Sequence, residues 1–418
     1  MLNFAKRLFP INRSLTGPGN RKTLGLIKKV VKKLKIKSFT SGQKVYDWTI
    51  PLEWSISDAF IIAPNNEKIC DFKKNNLHVI GYSKAVKKKI DLKTLKKNLH
   101  FSKKIKSAIP YVTSYYKKRW GFCISYNQFL KLKKGIYKIF IKSHFKKGKL
   151  NYGEALLKGK SSREVLISTY ICHPSMANNE ISGPTLSSYL YKWLSLKKRK
   201  YTYRFIFIPE TIGSIAYIKK NYKKLKKNTF AGYNLTCIGD ERSYSYIPSK
   251  YKNSVSDKVY FKAIKLKKIR SKIYSWSKRG SDERQFCSPG VDLPIGTIMR
   301  SKFGDYKEYH TSDDQIGKTV TSKGLVTSLN LVKRCINLIE ANDYPVSIKL
   351  CEPFLTKYNM YNTLSDINQK KNNMGYTDVL TWCDGTNNID DISELSQISK
   401  KVVKKIISIL INKKLVRI

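Results

Sequence analysis

Between residues 164 and 343 short apolar runs alternate with amphipathic stretches, and this alternation limits the possible fold more than any other feature of the chain. The run EVLISTYI (164–171) precedes a polar loop and the helical pattern GPTLSSYLYKWLSLKK. YRFIFIP (203–209) precedes SIAYIKKNYKKL; YNLTCIG (233–239) and LPIGTI (293–298) follow, and KGLVTSLNLVKRCINLIEAND (323–343) closes the series. Unbroken apolar strands separated by helices need both faces of their sheet covered, so the expected class is α/β, a mostly parallel sheet flanked by helices. Ligands of such sheets sit beyond the carboxyl ends of the strands.

The flanking texture differs. Residues 1–42 read as helical, because NRKTLGLIKKVVKKLKI spaces its apolar residues by three and four. From Val45 to about residue 149 the runs VYDWTI, AFIIAPNNEKIC, GFCISY and GIYKIFIKSHF predict strands joined by Pro, Asn and Gly turns, a β-rich module inserted into the α/β domain. Beyond Pro345 come CEPFLTKYNMYNTLSD and a polar link, INQKKNNMGY. The tail then offers a helix, a DGT turn, a short helix and a longer amphipathic helix, the order of a winged helix-turn-helix. The expected division is 1–42 with 150–350, 43–149, and 351–418.

Chemistry-bearing residues gather where that sheet would bind a ligand. The first strand delivers His173, then Asn179 and Glu180, and the second delivers Glu210. The third delivers Asp240 and Glu241; two loops add Asp282 with Glu283, and Glu308 with His310. Imidazole and carboxylate together suit zinc or another borderline divalent ion, and acids beside apolar strands need a partner. Glu210 and Glu180 are the candidate catalytic carboxylates, with Glu241 behind them, while Arg242, Arg279 and Arg284 in nearby loops are candidates to hold a substrate carboxylate. His78, His100 and His144 lack acidic neighbours at ligand spacing and are expected to be structural.

The ordered set resembles the dizinc exopeptidases of the leucyl-aminopeptidase and glutamate-carboxypeptidase type. The matching pieces are CHP with His173, NNEISG, PETIGS with Glu210, GDE with Asp240 and YHTSDD with His310; GSDERQFCSPGVDLP resembles that family's substrate-side loop. RSLTGPGNRKTL, YDWTIPLEWSISDAFI and AIPYVTSYYKKRWGFC resemble a bacterial aminopeptidase-like subgroup found with surface-polysaccharide biosynthesis. That subgroup carries an inserted module resembling a protease-associated domain and a winged helix at the end of the chain. The resemblance implies metal ligands at His173, Asn179, Glu210, Asp240 and His310, one or two zinc ions, and a small peptide or amino-acyl amide as substrate. Two departures are visible. Asn179 stands where the family has a bridging Asp, with Glu180 beside it as a substitute, and Pro209–Glu210 stands where it has paired glutamates.

Lys and Arg exceed Asp and Glu by 82 − 29 = +53. The lysines are scattered over nearly every segment and accompany abundant Ile, Asn and Tyr, as when A/T-rich codons drift into tolerant surface positions. Sequence-specific nucleic-acid binding is therefore not expected, although the lysines of the last helix keep a regulator as one reading. Eight isolated cysteines without a CxxC pair, and no long apolar segment, point to a cytoplasmic protein away from membranes. Two further readings stay open: a non-catalytic binding protein that keeps the fold, and assembly as a homo-oligomer.

Overall fold

The computed structural model describes residues 1–360 and 375–418. Its largest sheet has eight strands, numbered here in chain order: β1 (Lys35–Thr40), β2 (Lys149–Leu157), β3 (Glu164–Tyr170), β4 (Thr202–Ile208), β5 (Thr229–Leu235), β6 (Tyr244–Ile247), β7 (Ser271–Ile273) and β8 (Ile295–Met299). They lie in the order β1–β2–β4–β3–β5–β8–β6–β7. The middle, β4–β3–β5–β8, is parallel. β1, β2 and β6 pair antiparallel toward the two edges, and β7 runs parallel to β6.

Side chains alternate across the pleat, and each face has its own helical cover. Val165, Ile167, Phe205 and Phe207 pack beneath the helices Pro18–Val30, Ser182–Ser195, Val255–Lys265 and Ser322–Glu340. Leu166, Ile206 and Ile208 pack on the opposite face with Ile212, Ile215 and Ala216 of the helix Ile212–Asn228. The even burial of all seven residues in β3, β4 and β5 is what their unbroken apolar sequence predicts.

One expectation needs correction. Residues 35–40, read as helix, form edge strand β1 on β2. The three-and-four spacing ends with the helix at Val30, and KIKSFT contributes one strongly buried side chain, Phe39, to the face beneath. Strands β2 and β6 and the helix Val255–Lys265 were not singled out by periodicity.

Between β1 and β2 the chain builds a second, antiparallel sheet from Lys68–Ile69, Glu53–Ile62, Ile136–Lys146 and Val86–Asp91. It has its own core around Ile61, Trp120, Phe122, Tyr137, Ile139 and Ile141. The tail packs the helices Tyr376–Leu380, Ile389–Ser396 and Lys400–Asn412 around Val379, Ile392, Val403, Ile406 and Leu410. Its last strand, Val416–Arg417, pairs with Val346–Ser347. Asn388 and Asp391 cap the middle helix reciprocally. The polar link at 367–376 lies for the most part outside the described residues. No helix among the described residues is long and apolar enough to cross a membrane. All eight cysteines are free.

Candidate metal centre

Parallel strands end at one edge, and that edge collects the site. β3 leads through Ile171 and Cys172 to His173, and β4 leads through Pro209 to Glu210. The π-helical turn Ala177–Ile181, wholly buried, presents Asn179 and Glu180 before the helix Ser182–Ser195 begins. The loop after β8 returns His310, which has a left-handed backbone, φ +55°. Thr211, immediately after Glu210, is also left-handed at φ +64°. Such strain in non-glycine residues is tolerated where the surrounding structure fixes it, and here it brackets two of the candidate residues.

His173 is held on three sides. Its Nδ1 lies 3.0 Å from Glu180 Oε2, its backbone N–H donates to the same oxygen at 3.1 Å, and its carbonyl accepts from Arg13 Nε at 2.8 Å. Arg13 Nε also stands 3.2 Å from Glu180 Oε1, with both side chains fully enclosed. This leaves His173 Nε2 facing Glu210 Oε2 at 3.8 Å. Burial alone would depress the His173 pKa, but Glu180 and Glu210 outweigh it and raise it.

The His310 ring lies 5.5 Å from that of His173, centroid to centroid, and stacks on Tyr309 at 3.9 Å. Its Nε2 is buried and has no hydrogen-bond partner among the described residues. Burial and the neighbouring His173 push its pKa down to about 3, so the ring is neutral with a lone pair available. Glu210 completes the group. Burial raises its pKa against the pull of His173, and Ser281 Oγ donates to its Oε1 at 2.8 Å. Behind it Asp282 accepts from Thr211 N–H and Ser214 Oγ, each at 2.8 Å, and burial with Glu210 nearby pushes its pKa up to about 8.

Among the described residues the one trio of His, Cys, Asp or Glu whose ligand atoms all lie within 4.8 Å is Cys172, His173 and Glu180. Those atoms sit at the back of the imidazole and already have partners. Burial holds the Cys172 thiol neutral, and it accepts from the backbone N–H of Glu210 at 3.2 Å. The other side of the imidazole is open: His173 Nε2 stands 3.8 Å from Glu210 Oε2, and the His310 ring lies 5.5 Å from that of His173, although the three do not bring ligand atoms within 4.8 Å of one another. Two imidazoles and a carboxylate are donor types that suit a zinc-like ion, which these three residues would hold by drawing closer together.

The remaining expected residues fall elsewhere. Asn179 Oδ1 accepts from Tyr170 Oη at 2.9 Å, and Tyr170 Oη accepts from Thr236 Oγ1 at 2.5 Å. The locus expected for a bridging acid is thus a neutral chain of hydroxyls ending on an amide. Asp240, expected as a ligand, is saturated by protein donors: Asn178 Nδ2 at 2.8 Å, Ser301 N–H and Arg242 N–H at 2.9 Å, and Ser301 Oγ at 3.0 Å. Glu241 pairs with Thr321 and Lys323. The Arg242 guanidinium is taken by Glu308 at 2.9 Å. Arg284, exposed, donates to Thr211 Oγ1 at 2.7 Å and its charge reaches Glu210. His78 is structural, bonded through Nδ1 to Cys123 O at 2.8 Å.

Sequence reasoning missed Arg13, Tyr111, Tyr115, Tyr170, Ser281 and Asp314. Asp314 Oδ1 and Oδ2 accept from the N–H groups of Asn178 and Asn179 at 2.8 and 2.9 Å, fixing the turn that carries Glu180. Arg13, Tyr111 and Asp314 lie in quoted blocks, but nothing local to those blocks shows where their side chains turn.

The parallel sheet with its histidines at the carboxyl edge, the second sheet and the terminal winged helix define a zinc aminopeptidase-like fold. A Bacillus subtilis zinc aminopeptidase shares it over 81% of this chain and 94% of its own, with a TM-score of 0.60 at 14% identity. A peptidase M28 precursor from Shewanella amazonensis does so over 84% and 95%, with a TM-score of 0.56 at 13% identity. Residues 2–342 match the family described as "Domain of unknown function (DUF4910)", and residues 343–418 match a winged helix-turn-helix family. The chain belongs to the DUF4910 family. It is 41% identical over 406 residues to a Clostridium acetobutylicum protein, covering 96% of this chain and 92% of that one. That protein is provisionally named a polysaccharide biosynthesis protein with an aminopeptidase-like domain. A crystal structure from the same organism, provisionally described as a peptidase, matches with a TM-score of 0.81 at 39% identity, over 100% of this chain and 95% of its own.

Proposed function

We propose that this protein is a hydrolase of an amide bond that works with a single zinc ion held by His173, His310 and Glu210, and that it serves surface-polysaccharide biosynthesis. The observation that carries the reading is the buried Nε2 of a neutral His310, without a partner among the described residues, beside the His173 that faces Glu210. A buried imidazole nitrogen without a partner is costly unless something is meant to occupy it. When bound, such an ion polarises an amide carbonyl and lowers the pKa of its water toward ~7.

The chain's own residues prepare that site. Glu180 fixes the tautomer of His173 from behind, so its role is positioning rather than catalytic. Arg13 anchors Glu180, and Ser281 holds one oxygen of Glu210 while the other faces His173. Small peptides or amino-acyl amides are the substrate class that the fold supports, and an amino-acid-decorated sugar is the form that would fit a relative named for polysaccharide biosynthesis. A second reading, a binding protein that retains the fold without catalysis, is favoured by one observation. Glu210 is the carboxylate that faces His173 Nε2, and it would have to serve as ligand and base together.

The test is metal analysis of untagged protein, paired with hydrolysis of a panel of aminoacyl and N-acyl-sugar anilides. One zinc per chain is expected, lost in His310→Ala and held about 10- to 100-fold more weakly in Glu180→Gln. Wild-type protein without zinc would sink both the hydrolase and its metal. Zinc without turnover of any anilide would move the assignment to the binding protein.

A further inference from the structure

The inserted module reaches into the metal centre. Tyr111 N–H donates to His310 O at 2.7 Å, Ser312 N–H donates to Ile109 O at 2.9 Å, and Ile109 N–H donates to Ser312 Oγ at 3.0 Å. Pro110 and Thr311 close the same short pairing. On the other side of the site Asn76 Nδ2 donates to Ser175 Oγ at 2.8 Å, two residues beyond His173. The inserted module is thus fastened to both histidine loops, residues 109–111 to that of His310 and Asn76 to that of His173, although they lie far from either in sequence.

This fastening places aromatic rings at the two imidazoles. The Tyr111 ring meets His173 edge-on at 5.4 Å and His310 at 5.2 Å, centroid to centroid. Its hydroxyl lies 3.4 Å from that of Tyr115. Two phenols carry two protons; if they bond to each other, one proton is still free to donate elsewhere. Phenols are protonated through the neutral range, so both hydroxyls keep a proton to donate.

We propose that the Tyr111–Tyr115 hydroxyl pair is a substrate-binding and transition-state element of the metal centre, donating a hydrogen bond to the carbonyl oxygen of the amide that is cleaved. The proposal rests on the hydrolase reading above. In that reaction the water oxygen adds to the carbonyl carbon and the carbonyl π pair moves onto oxygen, where the phenol proton meets the growing negative charge. The C–N bond then breaks, and the proton released by the water ends on the departing amine. The phenol remains a phenol throughout, so no further reactant is required. A donor aimed at the developing oxyanion acts where charge appears, which is where such hydrogen bonds have their greatest effect. The neutral chain Thr236–Tyr170–Asn179, at the locus of a second ion, fits this arrangement: the second electrophile is a hydrogen-bond donor from the inserted module.

The experiment uses the full zinc-loaded chain and its Tyr111→Phe, Tyr115→Phe and double variants, with acetohydroxamate as a probe whose carbonyl oxygen stands in for that of the substrate. Calorimetric affinity for acetohydroxamate is expected to fall about 10-fold or more in the double variant, the cost of one hydrogen bond to a charged acceptor. On whichever anilide the wild type cleaves, kcat is expected to fall about 100-fold or more with KM nearly unchanged. Zinc content and melting temperature should stay at wild-type values. Unchanged acetohydroxamate affinity in zinc-replete double variant would reduce the pair to packing and overturn the proposal. Absence of zinc from the wild type would instead overturn the hydrolase reading, and this proposal with it.

Discussion

The two ends of the parallel strands both bury charge, and they treat it differently. At the amino end Arg204 of β4 donates Nε and an Nη to the two oxygens of Glu164 at 2.6 and 2.7 Å and also pairs with Glu154 of β2. Tyr217 donates to Glu154 at 2.5 Å, and Lys37 of β1 pairs with its other oxygen. Two cations meet two anions, and none of the charged atoms lacks a partner. At the carboxyl end His310 Nε2, Asn179 Nδ2, Asp282 Oδ2 and Glu308 Oε2 are buried without hydrogen bonds among the described residues. Both clusters rest on the same sheet, so the contrast is not one of burial. A complete set of partners marks charge used to hold strands together, and an incomplete set marks groups kept for something that is not part of the chain.

The strongest way to break this comparison is Arg204→Met. The change leaves Glu164 and Glu154 inside with Lys37 alone to face them, and removing one partner of a buried set costs about 3–5 kcal/mol. The unfolding midpoint in urea should drop accordingly, while zinc stoichiometry in protein that remains folded stays at one per chain. A loss of stability below about 1 kcal/mol would show that the amino-end cluster is not what ties β1, β2, β3 and β4 together.

Acid separates the two ends in a second, smaller way. Burial favours a protonated Glu154, but Lys37, Tyr217 and Arg204 outweigh it and hold its pKa at about 2, below the ordinary 4.5. A depressed carboxylate adds stability that is fully present above about pH 4.5 and is lost as pH falls toward 2. His310 in metal-free protein has its pKa depressed from 6.5 to about 3, so across that interval the unfolded chain binds more protons than the native one. Its contribution therefore begins to fall below about pH 6.5. Asp282, with its pKa raised to about 8, and Asp314, raised to about 6, slope the other way in this interval, so the effect is read as the difference between the parent and His310→Gln. That difference should fall with acid below about pH 6.5, and a flat difference between about pH 6.5 and 4.5 would contradict the buried, uncharged His310.

Much of this contrast was legible in the sequence, for a physical reason. Parallel strands of an alternating α/β chain end at one edge, so the order of the elements alone assigns His173, Glu210, Asp240 and His310 to a common edge. What strand order cannot say is which way a loop side chain turns. Asp240 follows β5 directly, yet the loop after β8 wraps Ser301 around it and consumes its carboxylate. Glu180 adjoins the expected bridging position, yet Arg13, 167 residues away from it in the chain, draws it behind His173. Tyr111 and Tyr115 come from the inserted module, where the local pattern speaks only of a strand-rich segment. β1 was missed because an edge strand with one buried side chain has too little periodicity to outweigh the helix before it.

The finest test concerns Asn179, where the smallest change in the molecule is expected. Asn179→Asp supplies the charge that a bridging position would need. The acceptor for Tyr170 is retained, and the departing Nδ2 had no partner to lose. The new carboxylate, however, would sit beside Tyr170 and Thr236, which offer neutral oxygens, and Asp240 stays bound to Ser301 and Asn178. A buried acid without a cationic partner takes up a proton instead of remaining ionised. Zinc titration of the variant should therefore still reach one ion per chain, with little change in melting temperature at neutral pH. Two ions per chain would mean that the carboxyl edge lacked a single charge to be a two-metal centre, and that the neutral chain through Tyr170 yields readily to a second cation.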